Sequence, residues 1–468
     1  MANDADLIRV VPSARQIALQ RMEFYAFVHF TVNTFTDREW GDGTENPALF
    51  NPTEMNPDQW VEAIRAAGMR GLILTCKHHD GFCLWPSKTT RHTVAASPCP
   101  VDVVRKTAEA CRRGGIRFGV YLSPWDRNHP LYGTGKAYDD VFVNQLTELL
   151  TGYGEIFSVW FDGACGEGPN GKKQYYDWER YYRVIRTLQP GACIHVCGPD
   201  IRWCGNEAGM TRPSEWSVVP RRTMDTEKIA SLSQQEDDDS FRLRPIRAQD
   251  LDLGSRERLR EEKELIWYPA EVNTSIRPGW FWHESENDQV RSLEELIRIY
   301  LNSVGGNATF LLNIPPDRRG LFHEQDVCRL REMGNFLRNS FRTNLMREAE
   351  ITAPEAAPGH GIEHLIPENE NFYFPQAGKL PLEITARWPS SRRIRFLVLR
   401  EHLPLSQRIE RFEVLIPGEG TLKLLYQGTT VGNKRIVRLD DCETSAITLR
   451  VTDARGVPAI EHFAVYAL

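Results

Sequence analysis

The chain has 468 residues and a formal charge of −6, with acidic and basic side chains mixed along its length. That length exceeds one ordinary core, so two domains are expected, and the charge pattern leaves no basic footprint for nucleic acid. No apolar run approaches bilayer-spanning length, which argues against a membrane partner, and nothing in the pattern specifies an oligomeric state.

After a polar leader, Phe24-Tyr25-Ala26-Phe27-Val28-His29-Phe30 reads as the first strand. A loop rich in Asp, Gly and Asn follows and contains Trp40. Asn56-Pro57 then opens a helix to about residue 67, with a capping Asn and a proline at the first helical position. Gly71-Leu72-Ile73-Leu74-Thr75-Cys76-Lys77 is the second strand and runs into His78-His79-Asp80-Gly81-Phe82. A helix over about 101–113 precedes the strand at 117–122, and a helix over about 137–150 precedes Glu155-Ile156-Phe157-Ser158-Val159-Trp160-Phe161-Asp162-Gly163. A further helix over 175–188 leads to the strand at 192–197.

Repeated strand–helix alternation with little hairpin signal means an α/β architecture with parallel strands. More than four successive units, and no glycine-rich dinucleotide fingerprint after the first strand, favour a TIM-like (β/α) barrel over a doubly wound sheet. Periodicity blurs over about 221–264, where Glu236-Asp237-Asp238-Asp239 reads as a solvated loop lacking calcium-loop spacing. It returns with Leu265-Ile266-Trp267-Tyr268, a helix over about 292–300, Ala308-Thr309-Phe310-Leu311-Leu312-Asn313, and a closing helix over about 325–337. Beyond about residue 342 come short alternating runs such as 382–388, 394–399, 411–416 and 446–451. Alternation of that kind, divided by polar turns, is a β-sandwich signature. The expected organisation is a barrel over 1–342 and a C-terminal β-sandwich over 343–468.

The ten cysteines are scattered, with eight of them before residue 205, so free thiols in a reducing compartment are the simpler reading. The start, Met1-Ala2-Asn3-Asp4-Ala5-Asp6, lacks a signal-peptide pattern, and a cytoplasmic location is expected. Eleven of the twelve tryptophans occur by Trp282, which suits either large-core filling or a pocket that stacks on a sugar ring.

Polar groups at the predicted carboxyl ends of the strands are His29, Lys77, His78, His79, Asp80, Tyr121, Trp160, Asp162 and His195, with Glu207 just beyond. A barrel gathers such groups onto one rim. On an extended strand, adjacent side chains diverge, so at most one of His78 and His79 is expected to face the side used by Lys77 or Asp80. A metal-dependent hydrolase would draw on this pool, but it lacks His-x-His or His-Glu-x-x-His spacing. Two carboxylates can instead run glycoside hydrolysis, one ionised beside the anomeric carbon and one holding a proton for the departing oxygen. Asp162 suits the first role and Glu207, on a glycine-bounded loop, the second, while Glu39, Glu167 and Glu271 compete for it. A non-catalytic glycan-binding protein is the rival from another class.

As a set, Lys77-His78-His79-Asp80-Gly81-Phe82, Gly119-Val120-Tyr121-Leu122-Ser123, Val159-Trp160-Phe161-Asp162-Gly163-Ala164, Gly205-Asn206-Glu207-Ala208-Gly209, Ser275-Ile276-Arg277-Pro278-Gly279-Trp280 and Leu311-Leu312-Asn313-Ile314-Pro315-Pro316-Asp317 resemble the α-L-fucosidases of glycoside hydrolase family 29. The resemblance covers about 24–341 and is nearest the subgroup acting on α-1,3/α-1,4-linked fucose of Lewis-type branched glycans. It implies a retaining mechanism with Asp162 as nucleophile and Glu207 as acid–base, and fucosylated oligosaccharides or glycoconjugates as substrate. It further implies sugar-binding roles for His29, Trp40, His78, His79, Tyr121, Trp160 and Trp282, with Lys77 and Arg202 as weaker assignments. No metal or organic cofactor is implied. The loop at 165–174 would contact a second branch sugar. The stretch 396–414 resembles the family's appended sandwich, but 363–371 departs from the sandwich's Asp-Gly-Asp and Thr-x-Trp pattern, so a structural role is expected there.

Overall fold

The structure, a computed structural model, describes residues 3–233 and 251–467. The acidic run Glu236-Asp237-Asp238-Asp239 lies outside the described residues. Among the described residues no helix is long and apolar enough to cross a membrane. Among the described residues no disulfide joins any of the cysteines.

The N-terminal part is a parallel barrel. Its strands are β1 (Phe24–Val28), β2 (Gly71–Lys77), β3 (Arg117–Leu122), β4 (Ser158–Phe161), β5 (Cys193–Val196) and β6 (Arg202–Trp203). After a short antiparallel pair of β7 (Val218–Pro220) and β8 (Leu265–Trp267), β9 (Ala270–Ser275) and β10 (Thr309–Asn313) complete it. The hydrogen-bonded order is β5-β4-β3-β2-β1-β10-β9-β6, and a parallel bridge between His195 and Ile201 spans the remaining gap. Strands β1, β2, β4 and β5 are buried along their whole length, which is why they read as apolar runs rather than alternating ones.

The helices obey local rules. Asn56 caps the helix Pro57–Ala66, with Pro57 where its missing N–H costs nothing. Asp102 caps Val103–Gly114, and Gly115, at φ +67°, ends it in the left-handed region. Helices Lys136–Gly152, Trp178–Leu188, Leu293–Ser303 and Glu324–Ser340 lie outside the barrel at the positions expected from the sequence.

The C-terminal part is a six-stranded antiparallel sheet of β11 (Glu350–Thr352), β12 (Leu382–Glu401), β13 (Ile409–Pro417), β14 (Leu422–Gly428), β15 (Arg435–Ala454) and β16 (Ile460–Ala467). The sequence reads β12 as two strands, and it is one strand of twenty residues. Its pairing with β15 slips between Arg387 and Arg392 and again between Ile394 and Phe396. Bulges of this kind bend a strand, and apolar side chains from before and after the slip (Leu382 and Ile384, Leu397 and Leu399) share one core. Phe396, Val398, Ile436, Ala464 and Tyr466 instead join the barrel's core. At that junction the buried Glu23 pairs with Arg400 and, at 2.9 Å, with Lys434. Burial pushes the Glu23 carboxyl up, but the two cations outweigh it and hold it well below the usual range.

Candidate active site

Asp162 follows β4 directly and carries its carboxylate to the carboxyl-end rim of the barrel. Tyr121, on β3, donates its hydroxyl to Oδ2 at 2.9 Å, and the Ala164 N–H donates to Oδ1 at 2.8 Å. One donor on each oxygen fixes the plane of the carboxylate. The next residue must be small, because a Cβ on Gly163 would meet Ser233 Oγ at 2.4 Å and Ile229 at 3.0 Å.

Three buried imidazoles surround this group. His29 Nδ1 lies 2.8 Å from Asn313 Oδ1. The Asn313 amide donates to Ser275 Oγ and the Trp280 carbonyl, so its Oδ1 is an acceptor and His29 carries hydrogen on Nδ1. His79 is fixed in the same sense. Ser123 gives its hydroxyl hydrogen to the Trp125 carbonyl and therefore accepts from His79 Nδ1 at 2.7 Å. Both rings are left with a bare Nε2, and that of His79 sits 3.8 Å from Asp162 Oδ2. His78 has its ring 4.1 Å from that of His79, and its Nδ1 is buried without a partner. Burial lowers all three: His29 to about 3, His79 to about 4, and His78 well below its ordinary value. At neutral pH the pocket therefore presents hydrogen-bond acceptors on neutral rings.

Aromatic side chains form the walls. Phe27, Tyr121, Trp280 and Phe281 lie 4.5–5.9 Å from the His29 ring. Trp160 stacks on Tyr121 at 5.4 Å, while Trp40 meets His79 at 5.4 Å and Trp125 at 5.5 Å.

Glu207 rides on a loop tied together by Asn206, whose Oδ1 accepts from the Ala208 and Met210 N–H groups. Gly209, at φ +77°, lies close against Ile299, where a side chain would be both strained and crowded. The Trp280 indole N–H donates to Glu207 Oε2 at 2.9 Å. Trp280 also touches His29, His29 touches Tyr121, and Tyr121 holds Asp162. The two carboxylates thus line one cluster, 45 positions apart in sequence.

Residues 15–340 match the α-L-fucosidase family model. The chain belongs to the α-L-fucosidase family of glycoside hydrolases. It is 38% identical to α-L-fucosidase 1 of Arabidopsis thaliana over 97% of this chain and 87% of that one. Its structure is similar to a glycoside hydrolase 29 family member from an unknown rumen bacterium (TM-score 0.80, 35% identity, 98% of this chain and 77% of that one). It is also similar to a Ruminococcus gnavus GH29 fucosidase solved in complex with fucose (TM-score 0.83, 28% identity, 98% and 95%).

In this fucosidase the fold separates the residues that share the pocket from those that do not. His29, Trp40, His78, His79, Tyr121, Trp160, Asp162 and Glu207 are gathered. His78 and His79 both reach the cluster, against the alternation rule, because β2 ends at Lys77 and both lie in the turn beyond it. Lys77 is fully buried and bonded to Asp126 at 3.0 Å, Gln145 at 2.9 Å and Tyr138. Arg202 donates Nε to the Tyr268 carbonyl and Nη2 to Glu215 at 2.5 Å and to the Trp216 carbonyl, while its buried Nη1 has no partner. Trp282 donates to Asn287 and Arg318 lies over its face at 5.9 Å, whereas its loop neighbours Trp280 and Phe281 meet the His29 ring. Asp80 is buried, and burial raises its carboxyl to about 7 against the lowering effect of the Phe82 N–H.

The competing glutamates are held by other partners or exposed. Glu39 accepts from the Trp280 and Phe281 N–H groups and faces His283 Nε2 at 2.8 Å. Glu271, inside the barrel, bonds to Tyr25, His195 and Trp160. Glu167 is exposed, and its loop is tied to Tyr132 through Asn170. Sequence reasoning did not single out Ser123 and Asn313, although both lie inside the family motifs, since each acts only by orienting a histidine.

Proposed function

We propose that the enzyme removes terminal α-1,3/α-1,4-linked L-fucose from Lewis-type branched glycans with net retention. The observation that carries this is the single aromatic cluster joining Asp162, oriented by Tyr121 and Ala164, to Glu207, oriented by Trp280. In the first step an Asp162 oxygen bonds to the anomeric carbon as the glycosidic bond breaks, and Glu207 delivers its proton to the leaving oxygen. In the second, Glu207 takes a proton from water while the water oxygen bonds to the same carbon and Asp162 leaves. Two carboxylates complete this cycle without a cofactor.

Sugar hydroxyls donate to the bare nitrogens of His29 and His79, His78 offers its unpartnered ring beside them, and the aromatic wall takes the apolar ring face and the methyl group. Burial of those neutral imidazoles favours such a role, since an unused acceptor in a dry pocket is costly. The polar loop at 165–174, beside the nucleophile, supports a contact with a second branch sugar.

Proton NMR of the first-formed sugar from an aryl α-L-fucoside tests the reaction course. The α-anomer is expected first, and initial release of the β-anomer refutes retention. Asp162→Asn is expected to abolish turnover while fucose binding persists. Faster hydrolysis of an unbranched fucoside than of a Lewis-type trisaccharide would overturn the branch preference.

A further inference from the structure

We propose that His78, His79 and Asp162 form a binding site for a borderline-soft divalent cation of the zinc or copper(II) class, one that overlaps the sugar site and makes the ion a competitive inhibitor. The overlap rests on the reading of this pocket as the fucose site. The ion site rests on geometry alone.

One donor atom from each of the three residues lies within 4.8 Å of the other two. Tetrahedral zinc, with bonds of about 2.0–2.2 Å, wants its ligand atoms roughly 3.5 Å apart. Closing the triad therefore needs movements on the order of 1 Å. Asp162 is the most exposed of the three, its side chain 21% accessible, so it supplies most of that movement by turning away from its donors Tyr121 and Ala164.

The donor types fit the class. Two imidazole nitrogens and one carboxylate oxygen suit zinc and copper(II), whereas magnesium and calcium want six or more oxygens. The surroundings fit as well. A metal-bound histidine usually donates its other ring N–H to an oxygen that holds its orientation. His79 already does so, through Nδ1 to Ser123 and on to the Trp125 carbonyl. His78 contributes a buried ring whose Nδ1 has no partner. An ion seated here draws on the Asp162 oxygen that Tyr121 orients, so it removes the nucleophile from use and cannot serve as a cofactor for it.

The test is calorimetric titration of the whole protein with zinc chloride in a non-chelating buffer at pH 7, with and without saturating L-fucose, and with magnesium chloride as the hard-ion control. One zinc per chain is expected, with fucose displacing it and magnesium giving no heat. Steady-state inhibition is expected to raise KM and leave kcat unchanged. Ser123→Ala is expected to weaken zinc about 10–100-fold, and His78→Asn to abolish the site. Cobalt(II) loading is expected to show visible ligand-field bands without thiolate charge transfer. A thiolate signature, inhibition in kcat alone, or zinc affinity unchanged in both variants would overturn the proposal. A fucose titration without metal separates the two readings. If fucose does not bind on its own, the reading of the pocket fails, and the two variants alone decide the ion site.

Discussion

Glu271 offers the sharpest test of how the pocket is built. Its carboxylate lies inside the barrel, 2% exposed, and receives three buried donors: Tyr25 Oη at 2.5 Å, His195 Nδ1 at 2.8 Å and Trp160 Nε1 at 2.8 Å. Glu271→Gln preserves shape and removes charge. Oε1 serves Trp160 while Oε2 serves Tyr25 and His195, so the amide can satisfy one side only. Its NH2 must then face a donor. One or two buried donors lose their acceptor at about 1–3 kcal/mol each, and the surviving bond loses its charge assistance, for a total of roughly 2–5 kcal/mol. Against a typical total of about 5–15 kcal/mol this is large. At around 2 °C per kcal/mol it lowers the melting temperature by roughly 4–10 °C. If the amide oxygen stays with Tyr25 and His195, Trp160 loses its anchor and KM rises. The pH profile stays in place, because Glu271 passes no proton. Scanning calorimetry, with kinetics on an aryl α-L-fucoside, reads all three. An unchanged melting temperature, or a displaced pH profile in a fully stable variant, would refute the reasoning.

Arg202→Met strips Glu215 of its shorter ion pair and leaves it to Arg212 at 3.3 Å. The expected cost is about 3–5 kcal/mol of stability, with KM unchanged in the folded fraction; a raised KM in a stable variant would restore Arg202 to sugar binding. His283 bridges Asp37 and Glu39, each at 2.8 Å, and so ties the loop carrying Trp40 to the loop carrying Trp280. Burial opposes its cation, but the bonds to Glu39 and Asp37, with Glu286 nearby, raise it to about 9. A folded pKa above the ordinary 6.5 means that this clamp stabilises fully below about pH 6.5 and is lost as pH rises through about 9. The melting temperature is expected to fall more steeply between pH 7 and 10 in the native chain than in His283→Gln, and equal slopes would exclude the clamp.

The barrel is legible where its strands are apolar and illegible where they are not. Strands β1 to β5 announce themselves because both of their faces meet protein. Strand β9, Ala-Glu-Val-Asn-Thr-Ser, gives no such signal, and β6 has only two residues. The reason lies in the barrel's interior. Glu271 holds Trp160, Asn273 accepts from the Trp203 indole, and Ser275 accepts from the Asn313 amide. Polar residues placed to pair with one another need no hydrophobic pattern, and no periodicity count detects them. The runs near 382 and 394 read as separate strands for a related reason: a bulge breaks the alternation without breaking the strand.

The glutamates show where residue identity stops being informative. Glu39, Glu167, Glu207 and Glu271 are chemically equal as side chains, and apart from the motif around Glu207 only their donors tell them apart. The histidines extend the same point to single atoms. The sequence singles out His29 and His79, but the polarity of each ring is set by Asn313 and Ser123, lying 284 and 44 positions away. Those partners take the Nδ1 hydrogen and leave Nε2 as an acceptor. The choice decides what the pocket can recognise: hydroxyl donors are welcome, acceptors are repelled, and a cation seeking nitrogen lone pairs finds them ready. An asparagine and a serine outside the histidine cluster therefore decide which ring atom His29 and His79 each leave free to accept.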